Sequence, residues 1–208
     1  MDALQFDALA ARARRLAAPG TRRVLGIAGA PGAGKSTLAA RLVDRLDGCA
    51  ALVPMDGFHL ARAELDRLGR AGRKGAPDTF DAAGYAALLA RLRAPEPGVT
   101  VYAPAFDRAL DEPVAGSLPV PPDVPLVVTE GNYLLLDDPA WRPVHALLDE
   151  VWFLDLDDRH RVPRLVRRHV RHGKDPADAE RWVRGSDEAN ARLVAPGRDR
   201  ADLVVPMS

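Results

Sequence analysis

Short apolar runs alternate along the chain with longer segments whose leucines recur at helical spacing. The apolar runs predict buried strands at residues 23–28, 50–54, 126–131, 150–155 and 201–205, with one more strand at 99–102. The segments with helical spacing predict helices at 2–17, 36–46, 61–69, 81–93, 141–148, 158–172 and 176–194. Strands that alternate with helices in this way favour an α/β fold, with a mostly parallel sheet covered by helices on both faces.

Turn-forming residues mark the boundaries of these elements. Pro19 and Gly20 are expected to end the first helix, and Asp81 is expected to cap the helix that follows it. Residues 111–125 are rich in proline and are predicted to form an exposed connection. A length of 208 residues without an internal repeat favours a single domain over residues 1–208.

Composition narrows the class of protein. The chain is 47% hydrophobic and 28% charged, with a net charge of zero, so we expect a globular core and neither nucleic acid nor a membrane as a partner. Cys49 is the single cysteine, the N-terminal residues are acidic, and no apolar run has transmembrane length. These features favour a cytoplasmic protein, and they leave monomer and homodimer both open.

The stretch 29–37 reads GAPGAGKST, which fits the P-loop pattern G-x-x-x-x-G-K-[ST] between a predicted strand and a helix. Glycines let the main chain approach a phosphate closely, and the helix N-terminus adds positive potential. Lys35 is expected to reach the β- and γ-phosphates of ATP, and the Ser36 hydroxyl to bind Mg²⁺. The predicted nucleotide-binding residues are Gly29, Ala30, Gly32, Ala33, Gly34, Lys35, Ser36 and Thr37.

Two carboxylates follow buried strands, where parallel sheets place their ligands. Asp56 comes just after the strand at 50–54, so it could accept a proton from an attacking hydroxyl, orient Mg²⁺, or simply cap a turn. Glu130 ends the apolar run at 126–131 in the Walker-B manner and is a candidate ligand of Mg²⁺ together with Ser36.

The segment 158–172 carries arginines three or four residues apart. Arg161, Arg164, Arg168 and Arg171 therefore share one helix face. Arginines stabilise the charge of a phosphoryl group in transfer, and a closing helix excludes water, so we interpret residues 158–175 as a lid. A solvated basic face or a nucleic-acid contact is the alternative reading.

Lysine is rare here, since only Lys35, Lys74 and Lys174 interrupt the preference for arginine. A compact ammonium suits phosphate or substrate, so Lys74 and Lys174 are also expected to face phosphate or substrate, although for Lys174 a chance surface position is as good an explanation. The segments 73–81 and 102–108 mix charges with aromatic rings, which is typical of a polar pocket with an aromatic wall.

Five segments follow one another along the chain: the P-loop, MDGFH at 55–59, RKGAPDTFD at 73–81, EGNYLL at 130–135 and the arginine helix. Together they resemble the P-loop kinases related to uridine kinase, phosphoribulokinase and bacterial-type pantothenate kinase. The resemblance spans residues 20–206 and is nearest to short bacterial fructose-transport-system and nucleoside kinases. It implies a three-layer α/β/α P-loop NTPase fold with a helical lid, and transfer of the γ-phosphoryl group of ATP–Mg²⁺ to a hydroxyl of a small molecule.

The resemblance also implies roles for individual residues. Lys35, Asp56, Glu130, Arg164 and Arg168 match catalytic positions. Substrate-side loops at 56–80 and 98–125 are implied to contact the acceptor through Asp56, His59, Arg73, Lys74, Asp107 and Arg108. Phe106 stands where uridine kinases have tyrosine.

The acceptor itself stays open among a sugar such as fructose, a nucleoside, a pantothenate-like alcohol and a sugar phosphate. Two other classes compete with a kinase: a nucleotide-hydrolysing switch or motor, and an ATP-gated regulatory module. The chain has neither the N-K-x-D nor the L-S-G-G-Q motif that such switches and motors usually carry. A regulatory module is distinguished by asking whether Asp56, Glu130 and the lid arginines converge on one cleft.

Overall fold

The computed structural model describes residues 1–18 and 20–207, so Pro19 lies outside the described residues. The strands are β1 (Arg23–Gly29), β2 (Ala50–Leu52), β3 (Val101–Asp107), β4 (Glu112–Val120), β5 (Leu126–Glu130), β6 (Glu150–Leu156) and β7 (Leu203–Met207). The α-helices are α1 (Ala3–Leu16), α2 (Lys35–Leu46), α3 (Arg62–Arg67), α4 (Ala82–Arg93), α5 (Arg142–His145), α6 (Asp158–Arg171), α7 (Pro176–Trp182) and α8 (Glu188–Val194).

Five strands form one parallel sheet in the order β2-β5-β1-β6-β7. Strand β1 lies at its centre, with Ile27 opposite Glu130 of β5 on one side and opposite Trp152 of β6 on the other. The carboxyl ends of the strands meet at one edge, which brings the P-loop after β1, the turn after β2 and the end of β5 together. The predicted parallel α/β sheet is confirmed.

Alternation along β1 builds a hydrophobic core on each face of the sheet. Leu25 and Ile27 pack with α1 and α2 on one face, whereas Val24 and Ala28 pack with α4 and the aromatic side chains of the other face. The aromatic cluster includes Tyr85, Tyr133 and Trp141, with edge and tilted ring contacts. Helices therefore cover both faces, which gives the three-layer arrangement.

Many of residues 111–125 are exposed, as predicted, but the prediction that they form only a connection was wrong. Residues Glu112–Val120 form β4, which pairs antiparallel with β3 in a two-stranded hairpin, and Val120 is buried beside Val101. Proline lacks an N–H for a ladder hydrogen bond, but each strand of a two-stranded ribbon has one unpaired edge where that loss costs nothing. The prolines of this segment therefore do not prevent residues 112–120 from forming a strand.

The predicted helix over 176–194 is interrupted. Between α7 and α8 the backbone forms a π-helical turn, Val183–Asp187, which buries Asp187, and the following helix α8 buries Asn190. Short 3₁₀ turns occur at Met55–Phe58, Ala71–Arg73, Pro77–Thr79 and Ala195–Arg200. Within residues 1–18 and 20–207, no helix has the length and apolar character needed to cross a bilayer.

Candidate active site

The P-loop connects β1 to the N-terminus of α2 and packs tightly against α6. Gly32 has φ 83°, in the left-handed region, and a Cβ atom there would lie 2.7 Å from Cγ of Leu165. A side chain at this position would therefore be strained and would push α6 away. Glycine at 32 thus serves both the turn and the close approach of α6 to the phosphate-binding loop.

Lys35 begins α2 and is almost fully buried. Its Nζ donates to the main-chain oxygen of Ala30 (3.0 Å) and to Oδ1 of Asn132 (2.7 Å). Burial lowers the pKa of Lys35 to about 8, although the nearby carboxylates of Glu130 and Asp56 favour its charged form. The ammonium is therefore held in the loop at a large desolvation cost, which a bound polyphosphate would offset.

Ser36 and Glu130 form a pair of oxygen ligands beside Lys35. The Ser36 hydroxyl donates to Oε1 of Glu130 over 2.8 Å. Burial raises the pKa of Glu130, and the charge of Asp56 raises it further, while Lys35 opposes both. In the described ranges no group of three or more His, Cys, Asp and Glu side chains could hold a metal ion. A hydroxyl and one carboxylate nevertheless fit Mg²⁺, which takes most of its ligands from phosphates and water.

Asp56 lies in the 3₁₀ turn Met55–Phe58, directly after β2. Its carboxylate is 3.6 Å from the guanidinium of Arg108, and its main-chain oxygen is 2.8 Å from Nδ1 of His59. Burial lowers the pKa of His59. A Cβ atom on Gly57 would overlap the carbonyl of Pro104, so glycine is needed for β3 to lie against this turn. The hairpin thereby brings Arg108 to Asp56.

Helix α6 lies over the P-loop. Beside the contact of Gly32 with Leu165, a cavity of about 480 Å³ lies between the two and is lined by Gly32, Gly34, Lys35, Ser36, Thr37, Arg108, Arg164, Leu165, Arg167, Arg168 and Arg171. Across the described part of the chain, the arginines that α6 contributes to this cavity have no ion-pair partner. Their uncompensated charge suits the phosphates of a nucleotide.

Arg161 does not share the role predicted from its position on the helix face. Its side chain is buried, donates to the main-chain oxygen of Pro31 (3.2 Å) and pairs with Asp158 and Glu188. With its guanidinium held in this way, Arg161 ties α6 to the P-loop and to α8 instead of facing a phosphate.

A second cavity, of about 570 Å³, adjoins the first and shares Gly32, Lys35, Ser36, Arg108 and Arg168 with it. Its lining includes Asp56, Glu130, His59 and Lys74, together with the ring of Phe106. Asp56, Glu130 and Arg168 therefore line one cavity, and Arg164 lines the adjoining one. This convergence is the property that separates a transferase site from an ATP-gated module.

Some predicted residues lie elsewhere. Arg73 forms two hydrogen bonds to the carboxylate of Asp78, and the Asp107 side chain accepts from the main-chain N–H groups of Ala109 and Leu110. Neither Arg73 nor Asp107 lines either cavity, so the structure does not bring them to the site. Three P-loop residues also line neither cavity, namely Gly29, Ala33 and Ala30, although the main-chain oxygen of Ala30 accepts from Lys35.

Sequence reasoning missed several residues of the site. Asn132, which holds the ammonium of Lys35, follows Glu130 by two residues and could have been found from the EGN tripeptide. Asn190 donates to the main-chain oxygen of Gly75 (3.2 Å), and the hydroxyl of Tyr133 donates to the same oxygen. Asn190 sits in an ordinary helical pattern, so nothing local marks it.

The profile of the phosphoribulokinase / uridine kinase family matches residues 24–208. The chain belongs to this family. A relative from Aspergillus versicolor, the ATP-dependent kinase-like protein notR', is 38% identical over 162 residues, which cover 73% of this chain and 93% of that protein. A Schizosaccharomyces pombe protein, C227.14, proposed to be a uridine kinase, is 34% identical over 215 residues, covering 98% of this chain and 91% of the relative.

Among solved structures of similar fold is a proposed fructose transport system kinase from Silicibacter sp. TM1040. It is 38% identical, covers 97% of this chain and 98% of its own, and superposes with a TM-score of 0.87. Family membership and these relatives show that the chain is a P-loop kinase, a phosphotransferase that uses ATP. The resemblance recognised in its motifs is thereby confirmed.

Proposed function

We propose that this kinase transfers the γ-phosphoryl group of ATP–Mg²⁺ to a hydroxyl group of a small molecule. The observation that carries the proposal is the junction of the two cavities at Lys35, Ser36 and Arg168. ATP would occupy the first cavity, which we call the P-loop cavity, with its γ-phosphate at this junction. The acceptor would enter from the second and larger cavity, which we call the acceptor cavity. Residues 1–208 would act as one kinase domain with α6 as its lid.

Each residue at the junction has a distinct part in such a transfer. Lys35, Arg164 and Arg168 would hold the phosphates and the charge that develops on the γ-phosphoryl group. Ser36 and Glu130 would hold Mg²⁺, which when bound neutralises charge on the β- and γ-phosphates. Asp56 lines the acceptor cavity, where it would accept the proton of the attacking hydroxyl.

The names of two relatives make fructose and uridine the first acceptors to test, within a wider screen of sugars, nucleosides, vitamins and sugar phosphates for ADP release. The larger cavity is polar around Asp56 and His59 and aromatic at Phe80 and Phe106, which suits a hydroxyl-bearing molecule with a carbon skeleton.

Asp56→Asn tests the role of Asp56. The change keeps the shape of the side chain but removes its negative charge, so single-turnover transfer should fall about 10²–10⁴-fold while ATP binding stays measurable by calorimetry. Asp155→Asn is the matched control, because Asp155 pairs with Arg198 on the surface and lines neither cavity. Transfer unchanged by Asp56→Asn would remove Asp56 from the mechanism, and rescue by high Mg²⁺ would make it a metal ligand.

A further inference from the structure

All three lysines of this arginine-rich chain line the same cavity. The sequence has 29 Lys and Arg residues, of which only Lys35, Lys74 and Lys174 are lysines. Lys35 belongs to the P-loop and lines both cavities, whereas Lys74 and Lys174 line the acceptor cavity alone. The two extra ammonium groups therefore face the acceptor and not the phosphates of ATP.

Lys74 is held in place by groups of the hairpin. Its side chain is only 13% exposed, its Nζ lies 5.0 Å from the ring centre of Phe106, and it donates to the Asp111 carboxylate (2.8 Å) and the Asp111 main-chain oxygen. An ammonium has three N–H donors, so one remains for a ligand. The aromatic face and Asp111 together hold the charge in one position.

Lys174 follows the last turn of the lid helix. Its Nζ lies 4.6 Å from the ring centre of Trp182, a cation–π contact. Over residues 1–18 and 20–207 it has no hydrogen bond or ion pair to a carboxylate, so its charge is uncompensated. A charge placed over an aromatic ring at the edge of a cavity is ready to receive an anion.

The carboxylates that line the acceptor cavity already have a partner within the protein or belong to its reacting end. Asp111 pairs with Lys74, Asp187 lies 2.8 Å from Nε2 of His169, and Asp56 and Glu130 belong to the reacting end. Of the Lys and Arg side chains that line only this cavity, Lys174 is the one without a carboxylate partner among the described residues. A neutral polyol would leave this charge without a partner, whereas a carboxylate or phosphate would complete it.

We infer that the acceptor carries, besides its reacting hydroxyl, an anionic group, and that Lys74 and Lys174 bind that group. The inference rests on the proposed function and narrows its substrate class to hydroxy acids and phosphate monoesters. Lysine suits this task as a compact point charge that can meet either kind of anion. Because Lys174 adjoins the lid helix, binding of the anion would also favour the lid position seen here.

Matched pairs of acceptors test the charge requirement. We would compare pantothenol with pantothenate, fructose with fructose 1-phosphate, and uridine with uridine 3′-monophosphate, which keeps its primary hydroxyl, each with ATP–Mg²⁺ in a coupled assay of ADP release. The anionic member of the productive pair should have a kcat/KM roughly 30-fold or more above its neutral twin. A neutral twin that is phosphorylated as well as the anion, or better, would overturn the inference while leaving the proposed kinase function intact. The carboxylate and phosphate arms distinguish the two anions.

Substitutions test the two lysines. Lys74→Gln and Lys174→Gln should each raise the KM of the anionic acceptor roughly 10-fold or more and leave the KM of ATP unchanged. Arg67→Gln is the control, because it removes one positive charge from an exposed ion pair with Glu64 outside both cavities. Equal effects in all three variants would overturn the assignment of the lysines.

If none of these compounds is phosphorylated, that result counts against the proposed function for these compounds. A binding measurement then still tests the inference. The protein is saturated with a non-hydrolysable ATP analogue and Mg²⁺, so that the P-loop is filled, and its melting temperature is measured with each compound. Stabilisation by anionic members, lost in Lys74→Gln, supports the inference. Stabilisation by neutral members alone, or by none of the compounds, contradicts it.

Discussion

Binding of ATP at Lys35 should take up a proton from solution at mildly alkaline pH. Burial lowers the pKa of this lysine from 10.5 to about 8, which corresponds to about 3 kcal/mol of free energy against its charged form. A triphosphate beside Nζ supplies negative charge and should return the pKa towards its ordinary value. The bound state then holds more protons than the free state, so affinity for ATP should fall as pH rises above about 8.

The size of the effect follows from the pKa. At pH 8.5 roughly a quarter of the free protein would have Lys35 charged, so binding should take up roughly 0.7 proton per ATP, against roughly 0.1 at pH 7. At pH 8.5 the triphosphate is fully ionised and contributes no proton of its own. Burial raises the pKa of Glu130, so any proton that it lost on binding of Mg²⁺ would have the opposite sign, and a repeat without Mg²⁺ separates it.

Calorimetry in buffers of different ionisation enthalpy measures this uptake directly. The titrant is ATP–Mg²⁺ with no acceptor present, and the same titration at pH 7, where roughly 0.1 proton is expected, is the control. Uptake below roughly 0.2 proton at pH 8.5, or equal uptake at the two pH values, would refute the argument from burial. Lys35→Ala should lose most of the rise in melting temperature that ATP–Mg²⁺ gives.

Three further substitutions test the lid and the loop. Arg168→Ala should lower kcat roughly 10²-fold and change the KM of ATP less, and a change confined to KM would limit Arg168 to binding of the ground state. Arg161→Met should lower the free energy of unfolding in urea by about 3 kcal/mol, because it leaves the Glu188 carboxylate without its buried partner; an unchanged midpoint would contradict this. Gly32→Ala should abolish stabilisation by ATP, whereas Gly72→Ala, where a Cβ atom meets nothing within 4 Å, should not.

Local sequence patterns predicted more of the fold and of the nucleotide side of the site than of the acceptor side. Strand runs, the P-loop and the acids at strand ends depend on neighbours in sequence, so Lys35 and Glu130 could be placed from the chain alone. Arg161 could not, because its partner Glu188 lies 27 residues away on another helix. Arg73 was predicted at the acceptor, but its guanidinium pairs with Asp78, five residues on, and it lines neither cavity.

If α6 closes as the lid that we propose, the hydrogen bond from Arg161 to Pro31 would place its pivot near the start of the helix. At 1.5 Å of rise per residue, Arg164 lies about 4.5 Å along the axis from this pivot and Arg171 about 15 Å. A rigid rotation of about 10° would move Arg164 by about 0.8 Å and Arg171 by about 2.6 Å. Arg164 would therefore stay close to one position, as a reaction centre requires. Movement of Arg171 would have to break the contact between His169 and Asp187, which holds the far end of α6 in its present position.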